Sequence, residues 1–190
     1  MPIVRDNMLT TGISGELGKQ LVFRQWGGDT IVSKAPIINQ QTVESELRKK
    51  QRLRFKEATG YAKKAMSDLL LKQAYQSKCK QRQTAYARAI QDYLLPPSIE
   101  EINLSNYTDE PDSFIRVYAT DDFQVKQVYV RIVDEKGDAI EAGFAGREGK
   151  SDWWKFATTV PNRLSEGGKV IAVAYDLPGN KTTKEIRMNT

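Results

Sequence analysis

Asp121 and Asp122 close one apolar run of this chain, and Asp176 and Asn180 close another, so four oxygen-bearing side chains stand at two strand-to-turn junctions. Side chains of that kind hold calcium when two loops bring them to one end of a fold. The same residues also cap turns by accepting from nearby backbone N–H groups, and their spacing matches no known calcium loop, so no metal and no cofactor are assigned. A second group is cationic. Arg48, Lys49, Arg52 and Lys56, within "RKKQRLRFK", give a charge density that neutralises phosphates or meets an acidic protein surface, unless they form only a solvated helix face. A third is aromatic. Trp153 and Trp154 are adjacent, so on a strand one enters the core and the other faces outward, and Trp154 is expected to contact a partner.

Histidine is absent, which removes the usual general base near neutral pH, the commonest metal ligand and the partner of most Ser and Cys nucleophiles. The sequence has no P-loop, no glycine fingerprint after a strand and no Cys cluster. The expectation is a protein that is not an enzyme. The lone Cys79 cannot form an intramolecular disulfide. No stretch approaches the roughly 20 apolar residues of a bilayer span, and "MPIVRDNMLTTG" lacks a basic region followed by a hydrophobic run. Synthesis in the cytoplasm without membrane insertion is expected, with membership of a particle, or export without an N-terminal signal, left open.

The elements that position these residues begin with "GELGKQLVFRQWGGDTIVSKAP". Leu21, Phe23 and Gln25 alternate with Val22, Arg24 and Trp26, and "TIVSKAP" answers after Gly27, Gly28 and Asp29, the pattern of a tight hairpin. Apolar residues lie on both faces, and an isolated two-stranded hairpin is marginal in water. Leu21, Phe23, Arg24 and Trp26 are therefore expected to pair or pack outside the ribbon. Thr42 is the expected cap of a basic amphipathic helix over 42–66, with Val43, Leu47, Phe55, Ala58, Ala62 and Ala65 along one side and Glu44 and Glu46 in its first turn. Two further helices are expected at "DLLLKQAYQSK" and "TAYARAIQDYLL".

Beyond Pro97 the periodicity changes to short strands separated by turns: "SIEEINL", "SFIRVYAT", "QVYVRIVD", "AIEAGFA", "WWKFATT", "KVIAVAYD" and "TKEIRM", about seven in all. At "VYATDDFQVKQVYVRIVDEKGDAIEAG" and "VAYDLPGN" the chain resembles bacterial immunoglobulin-like domains, whose Ala-x-Asp segments lead from a core strand into a turn. The first half resembles uncharacterised Bacteroidetes proteins that open with an "SGxLG…VFR" stretch, as Ser14 to Arg24 does here. Immunoglobulin-like modules occur in phage and contractile-tail particles, so the resemblance implies binding or structure.

A cut between Pro96 and Pro97 leaves 17 Lys and Arg against 8 Asp and Glu on one side and 12 against 16 on the other, so the net charge of +5 conceals +9 and −4. The sequence thus reads as an α+β protein of two modules. Residues 1–96 form a basic unit of β-hairpin and about three helices, and residues 97–190 an immunoglobulin-like β-sandwich. The function expected is structural or adaptor binding of other protein subunits, self-assembly included. Phosphate binding by nucleic acid along helix 42–66 is the alternative.

Overall fold

The computed structural model describes residues 3–4, 7–37, 45–108, 110–161 and 167–187. The order is β1 (Ile3–Val4), β2 (Gly15–Leu17), β3 (Leu21–Trp26), β4 (Asp29–Lys34), α1 (Glu46–Ser67), α2 (Leu69–Ser77) and α3 (Ala85–Leu94). Seven strands follow: β5 (Ser98–Asn103), β6 (Phe114–Thr120), β7 (Val125–Val133), β8 (Ala139–Arg147), β9 (Trp153–Ala157), β10 (Lys169–Asp176) and β11 (Lys181–Arg187). Thr42, Val43 and Glu44, the expected start of the first helix, lie outside the described residues.

Two compact units emerge, residues 1–53 with 79–84 and residues 54–78 with 85–190. The expected boundary at Pro96 and Pro97 falls inside the second unit, where Pro97 is fully buried as a packed corner.

In the first unit the hairpin does have a sheet to join, made by its own chain. The order is β1-β4-β3-β2, all antiparallel, with β2 against Leu21–Phe23 and β1 against Thr30–Ile31. Gly27 and Gly28 have φ of 57° and 89°, the two positive values that a type I′ turn requires. Register places Trp26 opposite Asp29. Arg82, on the segment between α2 and α3, lays its guanidinium 5.2 Å from the Trp26 ring and donates from Nη1 to Asp29 Oδ2 at 3.1 Å. It does so from a left-handed backbone, φ 66°, a conformation that residues with a Cβ adopt uncommonly. On the opposite face Gln25 Nε2 donates to Ile13 O at 2.7 Å and to Thr30 Oγ1 at 2.9 Å.

The second unit is a seven-stranded antiparallel array, β11-β10-β7-β8-β9-β6-β5. Strand β8 belongs to both layers, pairing along β7 up to Ala145 and with β9 at Gly146 and Arg147. The layers are thus β5-β6-β9-β8 and β8-β7-β10-β11, the strand order of an immunoglobulin-like sandwich. Alternation fills the space between them: Ile115, Val117 and Ala119 of β6, Val128, Val130 and Ile132 of β7, Val170, Ala172 and Ala174 of β10, with Trp154 and Phe156 of β9. The two end strands meet through Lys184, whose Nζ donates to Glu100 O at 2.6 Å and Ile99 O at 3.4 Å, so the array is nearly closed. Asp68 caps α2, its Oδ1 accepting from Leu70 N at 2.9 Å and Leu71 N at 3.1 Å.

A Cβ at Gly27 would stand 2.6 Å from Arg82 Nε, on a backbone that already disfavours it. Gly27→Ala is expected to lower the opening free energy of the Leu21–Lys34 amides by about 1 kcal/mol or more in hydrogen exchange, with the sandwich amides unchanged. Equal protection in variant and parent would show that Arg82 does not clamp the turn.

Candidate functional site

Two regions gather the side chains that sequence reasoning singled out. The first lies where the helices meet one end of the sandwich. Small residues on α1, Ala58, Ala62 and Ala65, recur at helical spacing and are buried, and Ala62 and Ala65 pack with Tyr75 of α2, Ala89 of α3 and Phe123 of the β6–β7 loop. Tyr75 and Phe123 stack with ring centroids 4.3 Å apart. Lys78 Nζ donates to Phe123 O at 2.6 Å and lies 4.6 Å from its ring. Arg88, 4% exposed, donates to Asp122 Oδ2 at 2.6 Å and also to the Asp122 carbonyl. A buried ion pair with this additional hydrogen bond loses far more when one partner is removed than its net worth to the fold.

Beneath these contacts runs a polar chain. Tyr61 and Tyr75 share a hydrogen bond at 2.8 Å, and Tyr75 Oη donates to Asp92 Oδ2 at 2.5 Å. Asp92 is 0% exposed. Burial pushes its carboxyl up to about 7; the Tyr75 hydrogen bond opposes the shift, the negative charges of Asp121 and Asp176 add to it, and Arg88 opposes it again. Burial also raises Asp176, against the hydrogen bonds it accepts from Asn180 and Gly179. The Tyr75 and Tyr61 hydroxyls are raised as well, burial leading in both.

The four calcium candidates are committed elsewhere. Asp121 Oδ2 accepts from Phe123 N at 2.9 Å and Gln124 N at 2.7 Å, and Asp122 takes Arg88. Asp176 Oδ1 accepts from Gly179 N at 2.8 Å and Asn180 N at 2.6 Å. Asn180 Nδ2 donates to Asp176 Oδ2 at 2.7 Å and Tyr93 O at 3.0 Å. They act as turn caps and as ties to the helices. Among the described residues no three His, Cys, Asp or Glu side chains gather in a way that could hold a metal ion.

The second region is the first unit with the start of α1. Phe23 is buried, 9% exposed, Leu21 is exposed on the same face, and Arg24 and Trp26 lie exposed on the other. Arg48, Lys49, Arg52 and Lys56 are all exposed on the first three turns of α1, with Lys49 bridged to Glu46 at 2.7 Å. Trp154 corrects the sequence reading. Its register opposite Val117 turns it into the core, 6% exposed, whereas Trp153, opposite Tyr118, faces outward with Arg116 4.7 Å above its ring. Sequence reasoning also missed Arg88 and Asp92, which at i and i+4 on α3 look like an exposed helix pair. The aromatic in "DDFQ" was the available signal for Phe123.

The class this defines is an α+β protein of two units, one a small four-stranded sheet and the other a seven-stranded β-sandwich with a helical cap. No known protein-family model, curated protein or solved structure matches the chain. No helix among the described residues is long and apolar enough to cross a membrane.

Folding draws a proton onto Asp92 between about pH 4, where a carboxyl titrates in an unfolded chain, and about pH 7, where Asp92 titrates in the fold. That contribution is fully present below about pH 4, shrinks as pH rises through the window and is gone above about pH 7, with an upper bound of about 4 kcal/mol. Asp92→Asn keeps an acceptor for Tyr75 without the charge. Its stability relative to the parent, from urea unfolding, should rise by about 1–3 kcal/mol between pH 4.5 and pH 7.5. A constant difference would mean that Asp92 titrates as an ordinary carboxyl.

Proposed function

We propose that this chain is a non-enzymatic structural or adaptor protein that binds other protein subunits, with the N-terminal unit as its docking element. One observation carries this reading: among the described residues of that unit only Phe23 and Thr30 are buried. A domain of about 60 residues ordinarily removes about 60% of its unfolded surface from water. Here Met8, Leu9, Leu17, Trp26, Leu47 and Leu53 are exposed instead. A surface of this kind gains stability when a partner covers it. With β1 and β2 on the hairpin's two edges, docking uses a sheet face rather than strand addition. A multi-subunit particle of the phage or contractile-injection kind is the setting this implies, by analogy with immunoglobulin-like modules there.

The test is affinity purification of the full chain, tagged at its C-terminus, from its own cells, beside a Leu17→Asp/Leu21→Asp variant. The parent should retain protein partners in fixed stoichiometry and the variant should lose them. Identical sets from both would remove the first unit from the account.

A second reading rests on the exposed cations of α1. If Arg48, Lys49, Arg52 and Lys56 contact nucleic-acid phosphates, affinity for an oligonucleotide falls steeply with salt, and Arg48→Ala/Lys49→Ala/Arg52→Ala flattens the log–log slope by about two or more. Salt-independent or absent anisotropy change would dismiss this reading.

A further inference from the structure

The outward face of β7, β8, β10 and β11 carries a pattern that the sandwich itself does not need. Cross-strand register aligns its side chains in rows. The central row is Thr183, Val173, Tyr129 and Phe144. Phe144 is 64% exposed and meets Tyr129 edge-on with ring centroids 5.2 Å apart, while Val173 and Tyr129 are half-buried, as outward side chains on interior strands are. One row to one side stand Glu185, Ile171, Arg131 and Ala142, and one row to the other stand Lys181, Tyr175 and Gln127.

These rows complement each other about the central one. A two-fold axis lying along it, in the plane between two facing sheets, sets each central residue against its own copy and exchanges the flanking rows. Lys181 then meets Glu185 of the second copy, Tyr175 meets Ile171 and Gln127 meets Arg131. Charge faces opposite charge, apolar faces apolar and amide faces guanidinium, as a self-complementary isologous interface demands. Glu185 already receives Lys169 at 3.5 Å within the chain, and a carboxylate has lone pairs for a second ammonium. We propose that this face is where two copies of the chain pair, sheet on sheet, with Val173, Tyr129 and Phe144 at the centre and reciprocal Lys181–Glu185 bridges at the rim.

Four strands about 4.8 Å apart and about 25 Å long give a footprint of roughly 500 Å² per copy, below that of a standard interface, so pairing at micromolar to tens of micromolar concentration is expected. The interface extends the adaptor reading to a second surface and does not use the N-terminal unit, so the substitutions tested here leave the docking residues of that unit in place.

The experiment is sedimentation equilibrium of the full chain from 5 to 200 µM, with circular dichroism melting to confirm that each variant is folded. The parent should approach twice the 21.5 kDa chain mass. Lys181→Glu places carboxylates together at both rim contacts and should weaken the dimer about tenfold. Adding Glu185→Lys exchanges the charges and should restore parental affinity within about threefold, a rescue that no monomeric role of these exposed residues would produce. Phe144→Lys should leave a folded monomer. A parent that stays monomeric at 200 µM overturns the pairing, and a double variant no tighter than Lys181→Glu overturns this register.

Discussion

The seating of Phe123 joins the helices to the sandwich. Its ring is carried on the turn between β6 and β7, stacks on Tyr75 and lies beside two cations, Lys78 at the C-terminal cap of α2 and Arg88 of α3. Burying an aromatic ring contributes on the order of 2–3 kcal/mol. The larger effect is positional. With the turn held, Asp121 can cap it and Asp122 can take Arg88, while at the β10–β11 turn Asp176 and Asn180 tie the neighbouring loop to Tyr93. Residues that look like ligands for an external ion are consumed in fastening two loops to three helices.

That fastening has an electrostatic cost. Asp92, Asp121, Asp122 and Asp176 crowd one junction, and Arg88 is the guanidinium that pairs with one of them. Asp92, the deepest member, has its carboxyl raised first by burial, and the negative charges of Asp121 and Asp176 add to that shift. The alanine packing of α1 contributes from the other side: small side chains let the helix approach closely enough for Tyr61 to reach Tyr75. Larger residues at Ala62 or Ala65 would hold the polar chain apart as well as overpack the core.

What the sequence displayed and what it concealed follow from the range of the interactions. The seven sandwich strands were legible because β6 and β10 alternate without interruption and turn residues separate the apolar runs, and α2 and α3 because their apolar stripes recur at three and four. The β1 and β2 strands were not, since two or three residues carry no period. Alternation showed that Trp153 and Trp154 face opposite ways but not which faces in, because that phase is set by cross-strand register with Tyr118 and Val117, contacts about 35 residues away in the chain. Arg82 was invisible for the same reason: its partners, Trp26 and Asp29, lie more than 50 residues upstream.

Edges explain how such a chain can associate. A free strand edge invites pairing with any other strand, and both units limit that exposure. In the small sheet, β1 and β2 are too short to template much addition. In the sandwich, Lys184 turns from the last strand onto the carbonyls of the first. Under the proposed readings, contacts with other chains fall to faces, where side chains rather than backbone hydrogen bonds decide the partner. The first unit has exposed apolar side chains and few buried ones, so the docking proposed for it would complete a core. The outward sandwich face lies on an already complete core, so the pairing proposed for it would rest on matching rows of side chains. The two proposals therefore differ in kind: the first draws on unburied apolar area, the second on register and charge order.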